Sequence, residues 1–467
     1  MTWLTLEVHF LARRYHGAEW PPSPMRLLQA IVAGSHSTDH PALRWMESQK
    51  PPLILAEPDP ARKELITYVP ANNVREKEAR TPKRVYERRV SRPVSYMYEL
   101  TDISDVAIAN QIIDLAAKVH TLGTGLDAAH VVACIEGNMP AVAEGRLRWM
   151  PWQRRMQGHL RPSICSRLRT PIPGSLASVE EVYQFKLRRN LFTNGGEPRV
   201  PNPPPTRHAL AIYAPAEAAR CHLFLGVSLY TNGALKQRWA AYPEDTVVVA
   251  GMLRHALLTR AQEADAPKYV MDMIAGHPRD RAGPRISYLP LPSIGHRRAD
   301  GLIRRALLLV PAEQAQEEDE WIGLVEEPLP LIAEGRSEAV AYAAFADELD
   351  NVFRLFLGRA TTWTSATPVV LPGDYTRGWT LVEKLVRKAL KEAGFAPEEI
   401  VNLSASKSPM IAGVKHAHAY RRKQTEGRSY TYHVRVQFSR QCHGPIWIGR
   451  QKHQGLGVMA SANPERE

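Results

Sequence analysis

Residues 2–34, TWLTLEVHFLARRYHGAEWPPSPMRLLQAIVAG, hold the pattern from which the fold is read. Leu4, Leu6, Val8 and Phe10 alternate with Thr5, Glu7 and His9, the period-two signature of a half-buried strand. After a turn containing Arg13, Arg14 and Gly17, Ser23 takes a capping position, Pro24 the first helical position and Gly34 a stop. Leu27, Leu28, Ile31 and Val32 form the helix's apolar stripe. Strand and helix recur along the chain. A helix over about 104–120 leads into LGTGLDAAHVVACIEG, a strand ending near Cys134. A strand over 221–230 is followed by a Thr231-Asn232-Gly233 turn and a helix from Pro243, with Val248, Val249, Met252, Leu253, Ala256 and Leu257 on one side. GLIRRALLLVP then reads as a strand, 379–393 as a helix stopped by Gly394, and 431–438 as a strand. In the last, Tyr432, Val434, Val436 and Phe438 oppose a cationic face of His433, Arg435 and Gln437. Such units predict an α+β chain of multiple ferredoxin-like, RRM-like modules rather than a doubly wound sheet.

With 467 residues, 44% of them hydrophobic, the chain can bury cores for two to three domains, and disorder is excluded. EPRVPNPPPTRH (197–208) carries five prolines in a dozen residues and reads as the main linker, dividing 1–205 from 206–467 near Pro205. No apolar run approaches the roughly 20 residues of a membrane-spanning helix, and MTWLTLEVHF lacks the order of a signal peptide, so a cytoplasmic protein with no membrane partner is expected. Cys134, Cys165, Cys221 and Cys442 form no CxxC pair, which argues against a disulfide framework or a thiolate zinc knuckle. The 60 Lys+Arg against 48 Asp+Glu favour a polyanionic partner.

The strongest local imbalance is Val74–Arg92, where eight Lys/Arg meet three Glu, with Tyr86, Tyr96 and Tyr98 in and after the stretch. It reads either as a solvated loop or as an arm along a nucleic-acid backbone, in which Arg75, Lys83, Arg84, Arg88, Arg89 and Arg92 release phosphate counterions. Near the C-terminus, GPIWIGRQKHQGLGVM is neither a P-loop nor a dinucleotide fingerprint. Its Gly449, Gly455 and Gly457 would let the backbone approach a phosphate chain that Arg450, Lys452 and His453 neutralise; the alternative is an ordinary terminal loop. No HExxH, GxSxG or paired-carboxylate cluster is present, so neither metal nor cofactor is expected. In AGHPRDRAGPRISYLPLPSIGHRRADGLIRR, His277 and His296 bracket a proline-stiffened stretch among arginines. Two imidazoles beside such arginines suit metal-free RNA cleavage: one takes the ribose 2′-OH proton and the other protonates the leaving 5′-oxygen. Each is equally readable as a hydrogen-bonded loop residue, as is His255.

The start LEVHFLARRYHGAEWPPSPMRLLQAIVA, the mid-chain YVPANN, YLPLPSIGHRRADG, WTSATPVVL and the terminal GRQKHQGLGVM together resemble the fused RNA-processing subunit of type I-G (earlier type I-U) CRISPR effector (Cascade) complexes. The resemblance implies a half that holds the crRNA 5′ handle, with Val74–Arg92 as its thumb, followed by a tandem-RRM nuclease half. That second half would cut a CRISPR repeat hairpin of the pre-crRNA and retain the mature crRNA. It also implies the other effector subunits, backbone and large, as partners, with target DNA met only through the complex. Arg421, Arg422 and Lys423 of KHAHAYRRKQTEGR would grip the hairpin with Arg435, and the terminal glycines would match the family's signature loop. By the family's placement in or beside the first helix, His255 is the catalytic candidate; by local chemistry, His277 and His296 are. A non-catalytic crRNA-binding scaffold is the alternative.

Overall fold

The computed structural model describes residues 2–60, 62–70, 80–152, 161–188, 203–215, 221–276, 285–296, 299–310, 324, 327–346, 349–372, 379–420 and 429–462. The chain divides into two compact units: Met1–Gln153 with Cys165–Ala218, and Arg154–Ile164 with Ala219–Glu467. The structure is mixed α/β, with antiparallel sheets in both units.

The first unit contains β1 (Thr2–Phe10), β2 (Arg14–His16), α1 (Pro24–Ser35), α2 (Pro41–Ser48), β3 (Leu53–Ala56), β4 (Arg62–Pro70), β5 (Arg80–Arg89) and β6 (Val94–Leu100). It continues with α3 (Ile103–Ala116), β7 (Ala129–Glu136) and β8 (Leu147–Pro151); after β9 (Arg161–Pro162), which belongs to the second unit, come β10 (Ser166–Thr170), α4 (Ser175–Arg188) and β11 (Ala209–Ala214). Strand order in the main sheet is β10-β11-β8-β3-β6-β1-β7, so β1 lies between β6 and β7. That position explains its burial: Leu4, Leu6 and Val8 are inaccessible, and even Thr5 of the polar face is covered. α1 begins where Pro24 predicts, but the Ser23 hydroxyl makes no capping bond. α3 is capped instead by Asp102, which accepts from Ser104 N, and by Asp105 in a capping box. β11 lies beyond Pro205 yet pairs with β10 and β8 of this unit.

A small sheet, β2-β5-β4, carries the basic segment. Period-two alternation does not expose all of its arginines. Arg88 is 2% exposed: its Nε donates to Asp59 Oδ1 at 3.1 Å, and its terminal nitrogens donate to Gly17 O and, at 3.0 Å, to Ala18 O. Buried and held by these three partners, it is a clamp within the fold, where the sequence suggested a phosphate ligand. Arg84 and Arg89 are exposed.

The second unit contains β12 (Leu223–Tyr230), α5 (Thr246–Glu263), α6 (Lys268–Ala275), β13 (Ser287–Pro292), β14 (Ile303–Val310), β15 (Leu329–Ile332), β16 (Ala339–Phe345) and α7 (Asn351–Leu357). It ends with β17 (Arg359–Ser365), β18 (Val369–Pro372), α8 (Trp379–Glu392), β19 (Ile400–Ser406), β20 (Ser429–His443), β21 (Ile446–Trp447) and β22 (Val458–Ser461). One sheet runs β13-β14-β12-β16-β15, with β9 on β12; the other runs β18-β20-β17-β22-β21, with β19 on β20. Pro243–Asp245 forms a 3₁₀ turn before α5, and Val248, expected in the buried stripe, is 37% exposed. Val249, Met252, Leu253, Ala256 and Leu257 are buried as expected, and the helix packs on β13 and β15. α8 lays Val382, Val386 and Leu390 into a core with Trp363, Val434, Val436 and Phe438. His433, expected on a cationic face, is inaccessible: its Nδ1 meets Ser365 Oγ at 3.3 Å and its Nε2 meets Lys415 O at 2.9 Å. Only Arg435 and Gln437 of that trio are exposed. Burial lowers the His433 pKa, so it packs as a neutral ring.

Replacing Arg88 by Met should destabilise the full chain by on the order of 3 kcal/mol, because Asp59 and two carbonyls lose their donor. Arg84→Gln should change stability by less than about 0.5 kcal/mol. Denaturant unfolding of the two variants checks this difference; equal losses would mean that the clamp does not operate.

Candidate nucleic-acid interface

In the first unit the surface is the β4–β5 hairpin. Exposed Arg84 pairs with Glu64 at 3.3 Å, and Ile66 and Tyr68 of β4 are more than half exposed. The Arg62 guanidinium lies 4.2 Å from the Tyr86 ring centroid, a stacked cation of the kind that supports base or phosphate contact. Arg89 and Arg92 are also exposed. Arg75 lies outside the described residues, as does the side chain of Lys83.

In the second unit the glycine-rich loop folds against α5 and β13. A Cβ on Gly455, at φ +85°, would lie 2.6 Å from Pro290 Cδ and 2.7 Å from Thr246 Cγ2. On Gly457 it would meet Ile448 O at 1.9 Å, and on Gly449 it would meet Val370 O at 2.7 Å. These glycines are therefore required by close protein packing, where the sequence suggested close approach to phosphate. The Thr367 hydroxyl donates to Gly455 O at 2.9 Å, and Leu456 is fully buried. The consequence is a fixed 3₁₀ turn, Lys452–Gln454, with left-handed residues Gln451 and Gly455 on either side.

That turn closes a cavity of about 220 Å³ bounded by α5, the end of α6, the start of β13 and His453 and Gln454. Arg254 reaches across it to donate to Ala275 O at 3.1 Å, and Arg285 stands on its wall. The Tyr288 hydroxyl donates to Ile274 O at 3.0 Å. One ring nitrogen of His453, Nδ1, meets Ser287 Oγ at 2.6 Å. Burial, reinforced by Lys452 and Arg285, lowers the His453 pKa to about 3, so it is neutral at physiological pH and contributes no charge. Lys452 is also lowered by burial, with Glu392 opposing and Arg285 reinforcing the shift. Neither Ser287 nor the lining pair Arg254 and Gln454 was singled out in the sequence. The only available signal was their nearness to predicted histidines.

The three histidine candidates have different surroundings. His255 follows Arg254 on α5, about 100° further round the helix, and is exposed. His296 is exposed and meets Ser293 Oγ at 3.1 Å. It lies past the Pro292 end of β13, five strand steps of about 3.4 Å from the Ser287 end at the cavity. His277 lies outside the described residues, as do Arg421, Arg422 and Lys423. Arg435 and Arg450 are exposed. Among the described residues no three His, Cys, Asp or Glu side chains come together to hold a metal ion, and no helix is long and apolar enough to cross a membrane.

A protein-family model described as "CRISPR-associated protein, GSU0054 family" matches residues 12–461, and the chain belongs to that family. Membership places it among the proteins of CRISPR defence. No curated protein matches it in sequence. Among solved structures, the "Crystal structure of a CRISPR protein from Archaeoglobus fulgidus" is similar at 9% identity, over 36% of this chain and 70% of that one, with a TM-score of 0.19.

His453 has its pKa lowered on folding from 6.5 to about 3. Between those values the unfolded chain binds a proton that the folded chain refuses, so stability falls as pH drops from about 6.5 towards 3. His453→Asn should remove up to about 1.4 kcal/mol per pH unit from that slope. Denaturant titrations of both proteins between pH 6 and 4 measure it, and parallel slopes would show that His453 is free to protonate.

Proposed function

We propose that this chain is a metal-independent endoribonuclease that cleaves pre-crRNA within the CRISPR repeat and remains bound as a subunit of a type I-G effector complex. Its first unit would hold the crRNA 5′ handle through the β4–β5 hairpin, and its second would process the repeat. One observation carries this reading. The glycine-rich turn closes a cavity lined by Arg254 and Arg285, and Arg254 lies on the helix that also bears the exposed His255. Family membership supports the CRISPR context. The strand orders β16-β12-β14-β13 and β22-β17-β20-β19, each with a helix between its first two strands in sequence, support ferredoxin-like modules.

The chemistry is self-contained. His255 takes the ribose 2′-OH proton, the 2′-oxygen bonds to phosphorus, and the 5′-oxygen leaves with a proton from water or a second imidazole, giving a 2′,3′-cyclic phosphate. Arg254, Arg285 and Lys452 stabilise charge developing on the phosphate oxygens. RNA duplexes are read mainly by shape and phosphate contacts, which dispersed arginines such as Arg435 and Arg450 supply. A second reading, a non-catalytic crRNA scaffold, is favoured by one observation: among the described residues the histidine lining the cavity is His453, whose pKa burial lowers to about 3, too weak a base for proton transfer near neutrality.

Incubation of the full chain with CRISPR repeat RNA in EDTA, beside RNA with a single 2′-deoxy substitution at the cut site, separates the readings. Cleavage of the first RNA alone, lost by about 100-fold or more in His255→Ala with binding retained, is expected. Binding without cleavage would make the chain a scaffold. For the hairpin, Arg84→Gln with Arg89→Gln should flatten the log-affinity against log-salt slope by about 0.7 for each phosphate no longer neutralised. An unchanged slope would remove the hairpin from the interface.

A further inference from the structure

Within the proposed RNA-processing unit, the cavity behind the glycine-rich turn has the chemistry of a base-reading site. At about 220 Å³ it falls below the roughly 300 Å³ lower end of ordinary small-molecule sites, so it suits a single ring system. Ala250, Gly251, Ala275 and Gly276 keep one side shallow, while Ile274 and Ile286 make it apolar. Among the described residues no carboxylate lines it, while Arg254 and Arg285 do. Gln454 Oε1 is buried and has no hydrogen-bond partner among the described residues.

Gly251 is the informative member. It lies within α5, where glycine is the least favourable residue after proline, and a Cβ there would meet nothing within 4 Å. Packing does not explain it, in contrast to Gly455 and Gly457. What the missing side chain preserves is open space at the cavity wall.

A phosphate alone, although Arg254 and Arg285 would neutralise it, would leave the rest of this lining unmatched. It has no donor for the buried Gln454 oxygen, and it would be placed against aliphatic walls. A base has two apolar faces and an edge on which donors and acceptors alternate, the pattern that a glutamine carboxamide pairs with. His453, held by Ser287 as a neutral imidazole, adds a second polar group, and Arg254 and Arg285 line the same cavity. RNA is read in sequence where bases are unstacked and splayed out.

We propose that this cavity receives one unstacked nucleobase of the repeat RNA, with Gln454 reading its edge and Gly251 leaving the room for its ring. This deepens the endoribonuclease reading and rests on it.

The test is an abasic scan of the repeat RNA against the full-length wild-type chain and Gly251→Phe, whose ring would fill the cavity from α5. One abasic position should weaken wild-type binding about tenfold. Gly251→Phe should bind intact RNA about tenfold more weakly and should lose nothing further at that position. Should Gly251→Phe fail to fold, Gln454→Leu carries the same cycle, with the loss confined to one base identity at that position. Wild-type binding that no single abasic position weakens would overturn the base site while leaving the RNA reading intact, as would folded Gly251→Phe at wild-type affinity. Displacement of the RNA by millimolar free nucleoside monophosphate, with no abasic-sensitive position, would assign the cavity to a free nucleotide and overturn the proposal. Failure of the wild-type chain to bind any repeat RNA would sink the RNA reading itself.

Discussion

The second unit depends on a steric constraint at Gly455 and Gly457. There the backbone passes so close to Pro290, Thr246 and Ile448 that no side chain fits, and both residues take positive φ. This approach locks Lys452–Gln454 into one turn and presses it against α5 and β13. A flexible loop could also bring positive charge to RNA, but it would pay ordering entropy on binding. Here the ordering is already done by the fold, and His453 is further fixed by Ser287.

The same turn separates charge from shape. Burial keeps His453 neutral, so it adds no charge to the cavity. Besides Arg254 and Arg285 at the cavity, positive charge stands on exposed arginines, Arg435 and Arg450 in this unit and Arg84, Arg89 and Arg92 in the other. Exposed cations supply affinity that falls with salt, whereas a preformed cavity discriminates by fit. The two contributions therefore come from different residues and respond to different perturbations.

Much of the fold was legible in the sequence because its elements carry strong periodicity. Leu4, Leu6 and Val8 alternate, Val382, Val386 and Leu390 repeat at helical spacing, and Pro24 begins its helix. What period alone misses is the environment of polar residues. Arg88 and Arg84 belong to the same charged run, yet one is a buried clamp and the other is exposed, because only Arg88 faces the Gly17–Ala18 carbonyls. His433 sits on the polar side of an alternating strand but is covered by Lys415 and Tyr420. The terminal glycines stand out in the sequence as a place for phosphate approach; local sequence does not reveal that Ile448 and Pro290 return to fill the space. Arg254, Arg285, Ser287 and Gln454 come from separate stretches of the chain, and only tertiary folding assembles them.

The central claim is that repeat RNA lies on the Lys452–Gln454 turn and the β4–β5 hairpin. The most direct measurement is ultraviolet crosslinking of CRISPR repeat RNA to the full chain, with the modified peptides mapped by mass spectrometry. Crosslinks concentrated in the peptides carrying Lys452–Gln454 and the adjoining α5 and β13, with a second group in β4–β5, are the predicted result. Crosslinks confined to other surfaces, with both segments unmodified while RNA is bound, would contradict it.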